Sequence, residues 1–213
     1  MKTLLSSYVV GTELLLTDSS VRAPFPFQRH QLTPPSKLPT GRAIIQLSTA
    51  THDNSIVLLP GANFSPRPLP LPSRPYALLL LQNEIPLATT SSFLALGKAA
   101  GMTTMFNPSP MLSEEEIRAF EWEKVDWLLV NEGEGDALLS VLGEKGDGEL
   151  LERLRSVPRL DGCGIILTLG SEGVAASWGG EVLSCPAGRV SGGVVDTTGA
   201  GDCFTVRIFT YSE

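Results

Sequence analysis

Asp196-Thr197-Thr198-Gly199-Ala200-Gly201-Asp202 follows a strand-forming run that ends near Val195 and precedes Cys203-Phe204-Thr205. Its glycines allow a tight backbone approach, and Gly199-Ala200-Gly201 is expected to open a helix with unpaired N–H groups. Such an end presents donors and the positive pole of the helix dipole, which suits a phosphate or a developing negative charge. Asp202, just beyond those donors, is placed to take a proton from a hydroxyl. A simpler reading of the same residues is a glycine-rich turn whose two aspartates cap a helix. No GxxxxGK[ST] loop occurs elsewhere in the chain, so a phosphate site here is not of the P-loop kind.

Upstream, the pattern from Pro75 onward is regular. Tyr76–Leu81 is a continuous apolar run, read as a buried strand, and Ser91–Ala100 is a helix stopped by Gly101. Met102–Phe106 reads as a strand and Ser113–Phe120 as a helix, opened by a Ser113/Glu116 capping box. Asp126–Val130 is a strand, Glu134–Leu142 and Asp147–Ser156 are helices, and Gly164–Leu169 is a strand. Val174–Ser177, Glu181–Ser184 and Arg189–Val194 are shorter, alternating strands. Continuous apolar strands alternating with helices predict an α/β fold, a mainly parallel sheet covered by helices on both faces with an antiparallel edge.

In such sheets ligands gather at the carboxyl ends of the strands. Those ends carry Gln82-Asn83-Glu84, Asn107-Pro108, Asn131-Glu132 and Thr168-Leu169-Gly170-Ser171. Four hydrogen-bonding segments on one edge predict a binding crevice. Taken singly, Glu84 reads as a loop charge, Asn131 as a helix N-cap and Glu134 as an exposed helix carboxylate.

Before Pro75 the chain is less regular. Val21–Pro39 holds five prolines and reads as loop or linker, as does Pro66–Pro75. Between them Arg42–Ser48 and Ser55–Leu59 flank the turn-prone Thr51-His52-Asp53-Asn54, a hairpin pattern. The expected organisation is an irregular segment over 1–40, one α/β domain over 41–205 and an atypical tail over 206–213. The opening residues Met1–Leu5 are read as no secretion signal, because Ser6, Ser7 and Glu13 break the apolar stretch.

Composition narrows the function classes. Among 213 residues, 23 acidic against 16 basic side chains leave a net charge of -7 and no basic stripe, which argues against nucleic acid as a partner. No run is long enough for a transmembrane helix. Cys163, Cys185 and Cys203 lack disulfide or zinc-site spacing, which fits a reducing compartment. The cytoplasm is the expected location, with the nucleus as an alternative. Cys203, beside the candidate anion site, reads as a plain buried thiol. His30 and His52 read as surface loop residues.

These motifs, taken in order from about Thr40 to Thr205, resemble the PfkB or ribokinase family of carbohydrate kinases. The heptapeptide resembles that family's C-terminal signature, and Thr40-Gly41 through Gly61-Ala62-Asn63 resembles its lid hairpin. Leu81-Gln82-Asn83-Glu84-Ile85-Pro86 resembles a Gln-Leu-Glu segment, which implies that Glu84 contacts the sugar. Asn107-Pro108-Ser109-Pro110 resembles Asn-Pro-Ala-Pro. Asn131-Glu132-Gly133-Glu134 matches Asn-x-x-Glu, which implies that Asn131 and Glu134 organise Mg²⁺, its waters and the phosphates. Thr168-Leu169-Gly170-Ser171-Glu172-Gly173 matches a nucleotide-binding turn, which points to Thr168, Gly170, Ser171 and Gly173. By the same resemblance Asp202 is the catalytic base and touches the substrate. Gly199, Ala200 and Gly201 form the anion hole, and Asp196 with Thr198 helps hold a monovalent cation such as K⁺.

The resemblance implies ATP-dependent phosphorylation of a sugar hydroxyl, D-ribose above others. Fructose, adenosine and pseudouridine are alternative acceptors, and a non-catalytic nucleotide binder is the alternative from another class. It also implies pairing of intact family members through their lids. Two departures accompany it. Residues 1–39 lack the family's early sugar-binding motif, and Val206-Arg207-Ile208-Phe209-Thr210-Tyr211 is β-branched and aromatic, poor helix material. The expectation is therefore a kinase truncated at both ends, of low stability and weak activity, with no regular helix after the anion hole.

Overall fold

The computed structural model describes residues 39, 41–47, 54–64, 77–143, 146–189 and 199–210. The chain divides into two units, Pro75–Val194 and the remainder.

The larger unit is built on a six-stranded sheet. Its strands are β3 (Leu78–Gln82), β4 (Thr103–Asn107), β5 (Trp127–Asn131), β6 (Gly164–Thr168), β7 (Val174–Trp178) and β8 (Glu181–Cys185), in that spatial order. The first four are parallel and the last two antiparallel. Parallel neighbours require crossovers. These are supplied by α1 (Leu87–Ala99), by α2 (Glu114–Ala119), and by α3 (Glu132–Leu142) with α4 (Leu150–Arg155).

Successive residues are buried along β4 (Thr104, Met105, Phe106), β5 (Leu128, Leu129, Val130) and β6 (Ile165, Ile166, Leu167). Because neighbouring side chains point to opposite faces, both faces of these strands are covered. The covering layers bring Phe93 and Leu94 from α1, Ile117 from α2, Leu138 and Leu139 from α3, and Leu151 and Leu154 from α4. Phe106 stacks on Phe120 at 4.9 Å, and Phe120 meets Trp122 edge-on at 4.7 Å. The fully buried Trp122 indole donates to the Ile117 carbonyl at 2.9 Å, so its one polar atom is satisfied.

Local chemistry sets the element ends. Ser113 and Glu116 form the expected capping box on α2. Gly101, at φ +71, follows α1, and the next N–H, of Met102, reaches back to the Gly97 carbonyl. Helix α1 starts at Leu87, earlier than the Ser91 expected from apolar spacing. Pro86 carries φ −53, and its carbonyl accepts the N–H groups of Thr89 and Thr90, so the proline opens the helix. Strands β7 and β8 turn through Gly179 and Gly180, at φ +57 and +90, a two-residue hairpin of the primed kind.

At the amino edge of the sheet the Asp126 carboxylate accepts from Lys98 Nζ (2.6 Å), Thr104 N–H (2.8 Å) and Thr104 Oγ1 (3.0 Å). Burial pushes this carboxyl up, but the bonds from Lys98 and Thr104 together hold it below its ordinary value.

In the other unit β1 (Arg42–Leu47) and β2 (Asn54–Leu59) form the expected antiparallel hairpin, from Arg42↔Leu59 to Leu47↔Asn54. A 3-10 turn follows at Gly61–Phe64. Helix α5 spans Ala200–Thr210. This corrects the expectation that residues after Val206 abandon the helix. β-branched and aromatic residues cost helices only about 0.5 kcal/mol each relative to alanine, a bias and not a veto. The Cys203 N–H closes the first turn on the Gly199 carbonyl at 3.0 Å. The Thr205 hydroxyl, which could compete with the ladder, donates to the Gly201 carbonyl four residues back at 2.7 Å.

Of the irregular segment read over 1–40 all but residue 39 lies outside the described residues, as do the linker read over 66–75, residues 51–53 of the turn read over Thr51–Asn54, and the strand read over Arg189–Val194 from residue 190 onward. Among the described residues no helix is long and apolar enough to cross a membrane.

Candidate functional site

The parallel register brings the ends of β3 to β6 to one edge: Gln82 stands beside Asn107, and Asn131 beside Thr168. Hydrogen bonds then tie the loops that leave these strands. The Asn83 N–H reaches the Ser109 carbonyl at 3.2 Å, and its side-chain amide reaches the Pro110 carbonyl at 2.8 Å. Asn107 donates its side-chain amide to the Leu129 carbonyl at 2.8 Å, fastening the β4 end to β5. Gln82 Oε1 accepts the Glu84 N–H at 2.7 Å, turning the backbone so that exposed Glu84 follows the strand. Among the described residues no hydrogen bond or ion pair engages the Glu84 carboxylate.

Asn131 and Glu134 stand at the start of α3 as a capping box. The Asn131 side chain accepts the Glu134 N–H at 2.9 Å, and Glu134 Oε2 accepts the Asn131 N–H at 2.9 Å. Both residues thus have a structural use, which the reading of Asn131 as an N-cap anticipated. Glu134 is half-buried. Burial raises its carboxyl above the ordinary range, against the opposing pull of the Asn131 N–H and the Ser109 hydroxyl.

After β6 the chain reverses through a short 3-10 turn, Gly170–Glu172, closed by the Leu169 N–H on the Gly173 carbonyl at 2.8 Å. Gly170 (φ +54) faces open space, whereas a Cβ on Gly173 (φ +110) would lie 2.1 Å from the Cys185 carbonyl oxygen. Gly173 is therefore demanded by the backbone crossing it at Cys185–Ala187. Thr168 sits half-buried at the strand end, its hydroxyl 3.5 Å from the Val130 carbonyl, and Ser171 is exposed.

The glycine-rich signature belongs to the other unit. Gly199, at φ +75, precedes α5, and Ala200, Gly201 and exposed Asp202 form its first turn. The N–H groups that open such a helix have no carbonyl within it to bond. Asp196 and Thr198, assigned to a monovalent cation, lie outside the described residues. Cys203, read as buried, is exposed on the first turn of α5.

No group of three or more His, Cys, Asp or Glu able to hold a metal is found among the described residues. The donors at the start of α3 nonetheless suit Mg²⁺. That ion keeps several waters and takes one or two carboxylates together with phosphate oxygens, and Glu134 is a partly desolvated carboxylate with no cationic partner among its contacts.

The sequence marks Asn107 only as one of the hydrogen-bonding groups at the strand ends and assigns Ser109 no role. The structure shows Asn83, Asn107 and Ser109 stitching adjacent loops together. The only signal in the sequence was the recurrence of amide and hydroxyl residues at strand ends.

The profile of the pfkB family carbohydrate kinases matches residues 31–206. The chain is 31% identical over 172 residues to a ribokinase of Lactococcus lactis subsp. lactis, covering 78% of this chain and 52% of that one. It is 31% identical over 160 residues to a deoxyribokinase of Salmonella typhi, covering 73% and 51%. It spans about half the length of these curated relatives. Among solved structures it superposes on the ribokinase of Cryptococcus neoformans var. grubii in complex with ADP with a TM-score of 0.70 and 39% identity, covering 82% of this chain and 59% of that one.

Proposed function

From the premise that this chain belongs to the pfkB family of carbohydrate kinases, we propose that it carries the nucleotide-binding and catalytic part of an ATP-dependent sugar kinase, with D-ribose as acceptor. The observation that carries this reading is the glycine-led start of α5, where Asp202 stands in the first turn beside backbone donors that no carbonyl of the helix takes up.

In this reading the acceptor hydroxyl gives its proton to Asp202 as its oxygen bonds to the γ-phosphorus. The bond from that phosphorus to the ADP oxygen breaks as the new one forms. The N–H groups at Gly199–Gly201 stabilise the charge on the transferring group, as a helix N-terminus does for any anion. Glu84, whose carboxylate is uncommitted among the described residues, accepts hydrogen bonds from sugar hydroxyls. Thr168, Gly170 and Ser171 line the nucleotide at the β6 turn, with Gly173 shaping that turn. Asn131 and Glu134 would hold Mg²⁺ through its waters, and the ion would neutralise phosphate charge. Asp196 and Thr198 would serve a monovalent cation such as K⁺.

The similarity to a deoxyribokinase supports a second acceptor, 2-deoxyribose. Intact relatives would pair through the lid, of which β1 and β2 are the counterpart. The β1–β2 hairpin leaves Ile44, Ile56, Val57, Leu58 and Leu59 about half exposed, which supports a partner there.

The test is an assay of the purified chain for ATP-dependent phosphorylation of ribose, 2-deoxyribose, fructose and adenosine, with ADP binding measured in parallel. Transfer to ribose above all others is expected. Binding without transfer to any acceptor would favour the non-catalytic reading, and absence of both would overturn the proposal.

A further inference from the structure

Glu84 has its backbone held on both sides, while its carboxylate has no partner among the described residues. Before it, Gln82 Oε1 accepts the Glu84 N–H at 2.7 Å. After it, the Pro86 carbonyl accepts the Thr89 and Thr90 N–H groups and opens α1. These bonds are local: they fix the shape of the turn and not its place along the sheet edge. Its place is set by Asn83, which bonds two successive carbonyls of the loop after β4. The Asn83 N–H donates to the Ser109 carbonyl at 3.2 Å, and its side-chain amide donates to the Pro110 carbonyl at 2.8 Å. That loop is itself anchored. The Ser109 N–H donates to the Asn107 carbonyl at 2.8 Å, and the Asn107 amide donates to the Leu129 carbonyl of β5 at 2.8 Å. Any residue except proline could supply the first Asn83 bond. The second needs a side-chain donor, and the leucine of the motif that this segment resembles has none.

We propose that Asn83 is a positioning residue for the acceptor-binding carboxylate, fixing the Glu84 backbone against the loop at Ser109 and Pro110. The inference rests on the role given to Glu84 in the proposed function. A turn held only by its own bonds can shift as a unit without breaking any of them; a tie to a neighbouring loop removes that freedom. Asn83→Ala removes the side-chain tie and leaves the backbone one. Pro110 is exposed, so water takes over its carbonyl and the fold loses little.

The experiment is calorimetric titration of D-ribose, and separately of ADP, into the full chain for wild type, Asn83→Ala, Glu84→Gln and the double variant, with thermal midpoints alongside. For Asn83→Ala we expect about a tenfold loss of ribose affinity, the order of one hydrogen bond to a charged group, with ADP affinity and midpoint unchanged. Glu84→Gln should lose at least as much, and adding Asn83→Ala to it should cost little more, because the two act through one carboxylate. Wild-type ribose affinity for Asn83→Ala would overturn the inference alone, as would an equal loss toward ADP. A full further loss in the Glu84→Gln background would overturn it too, since Asn83 would then act elsewhere. Unchanged ribose affinity for Glu84→Gln would overturn the role of Glu84 and this inference with it. A wild type that binds ADP but not ribose would overturn ribose as the acceptor, and one that binds neither would overturn the functional proposal itself.

Discussion

Asn131 and Glu134 hold each other: each accepts the other's backbone N–H at 2.9 Å across the first turn of α3. The same two residues are the candidates for organising Mg²⁺, so one motif fixes a helix end and presents oxygen donors at the sheet edge. The two uses can be separated by mutation. Glu134→Gln keeps an acceptor at the capping position and removes the charge, whereas Asn131→Ala removes the cap. We expect Asn131→Ala to lower stability by about 1 kcal/mol and Glu134→Gln to leave it near wild type in chemical denaturation.

The pH dependence of that comparison has a definite sign. Burial raises the Glu134 carboxyl above its ordinary 4.5, so its stabilising contribution is complete below 4.5 and is lost as pH rises through the folded value. Wild type should therefore lose stability relative to Glu134→Gln as pH increases from 4 to 7. A difference that grows toward acid would contradict this.

Asp126 has the opposite sign. Its carboxyl is held below 3.8 by Lys98 and Thr104 against the effect of burial. Its contribution is present above the unfolded value and disappears as pH falls through the folded one. Asp126→Asn should be less stable than wild type at pH 7, and the gap should close under acid; urea titrations at several pH values would read it.

Two glycines of one turn should respond differently to alanine. At Gly170 the added methyl meets open space, leaving the left-handed penalty of about 1–2 kcal/mol. At Gly173 it would lie 2.1 Å from the Cys185 carbonyl oxygen, so the hairpin must shift, with an expected loss above about 3 kcal/mol. Equal midpoints for the two variants would show that the crossing at Cys185 is not rigid.

Asp202→Asn keeps the size of the side chain but removes the proton acceptor. Turnover of ribose should fall about 10²–10⁴-fold, with ADP affinity within about twofold of wild type, by coupled assay and calorimetry.

The cysteines offer a check on burial. Burial pushes the Cys163 thiol up to about 12, whereas Cys185 is exposed. Iodoacetamide at pH 8 should alkylate Cys185 and spare Cys163, as judged by peptide mass spectrometry.

The sheet was legible because burial on both faces leaves a plain mark in sequence: continuous apolar runs such as Leu128–Val130 and Ile165–Leu167, separated by helix-length segments. Gly101 and the Ser113/Glu116 box were equally readable, since caps depend on neighbours within a few residues. The start of α1 was misplaced by four residues because apolar spacing marks the buried stripe and not the proline that opens the helix. The end of α5 was misjudged because propensity was weighed as though each residue stood alone; helical bonding outweighs penalties of a few tenths of a kcal/mol each.

For the site, the residue types and their order were set by the sequence itself: an amide, carboxylate or hydroxyl at the end of each parallel strand, and a glycine-led helix start followed by Asp202. Strand order and register, which put Gln82 beside Asn107 and Asn131 beside Thr168, depend on pairings between distant segments. The ties from Asn83 to the Ser109 and Pro110 carbonyls and the crossing of Cys185 over Gly173 depend on them too. A local pattern reports which groups a strand end carries; only the folded sheet decides which of those groups can reach one another.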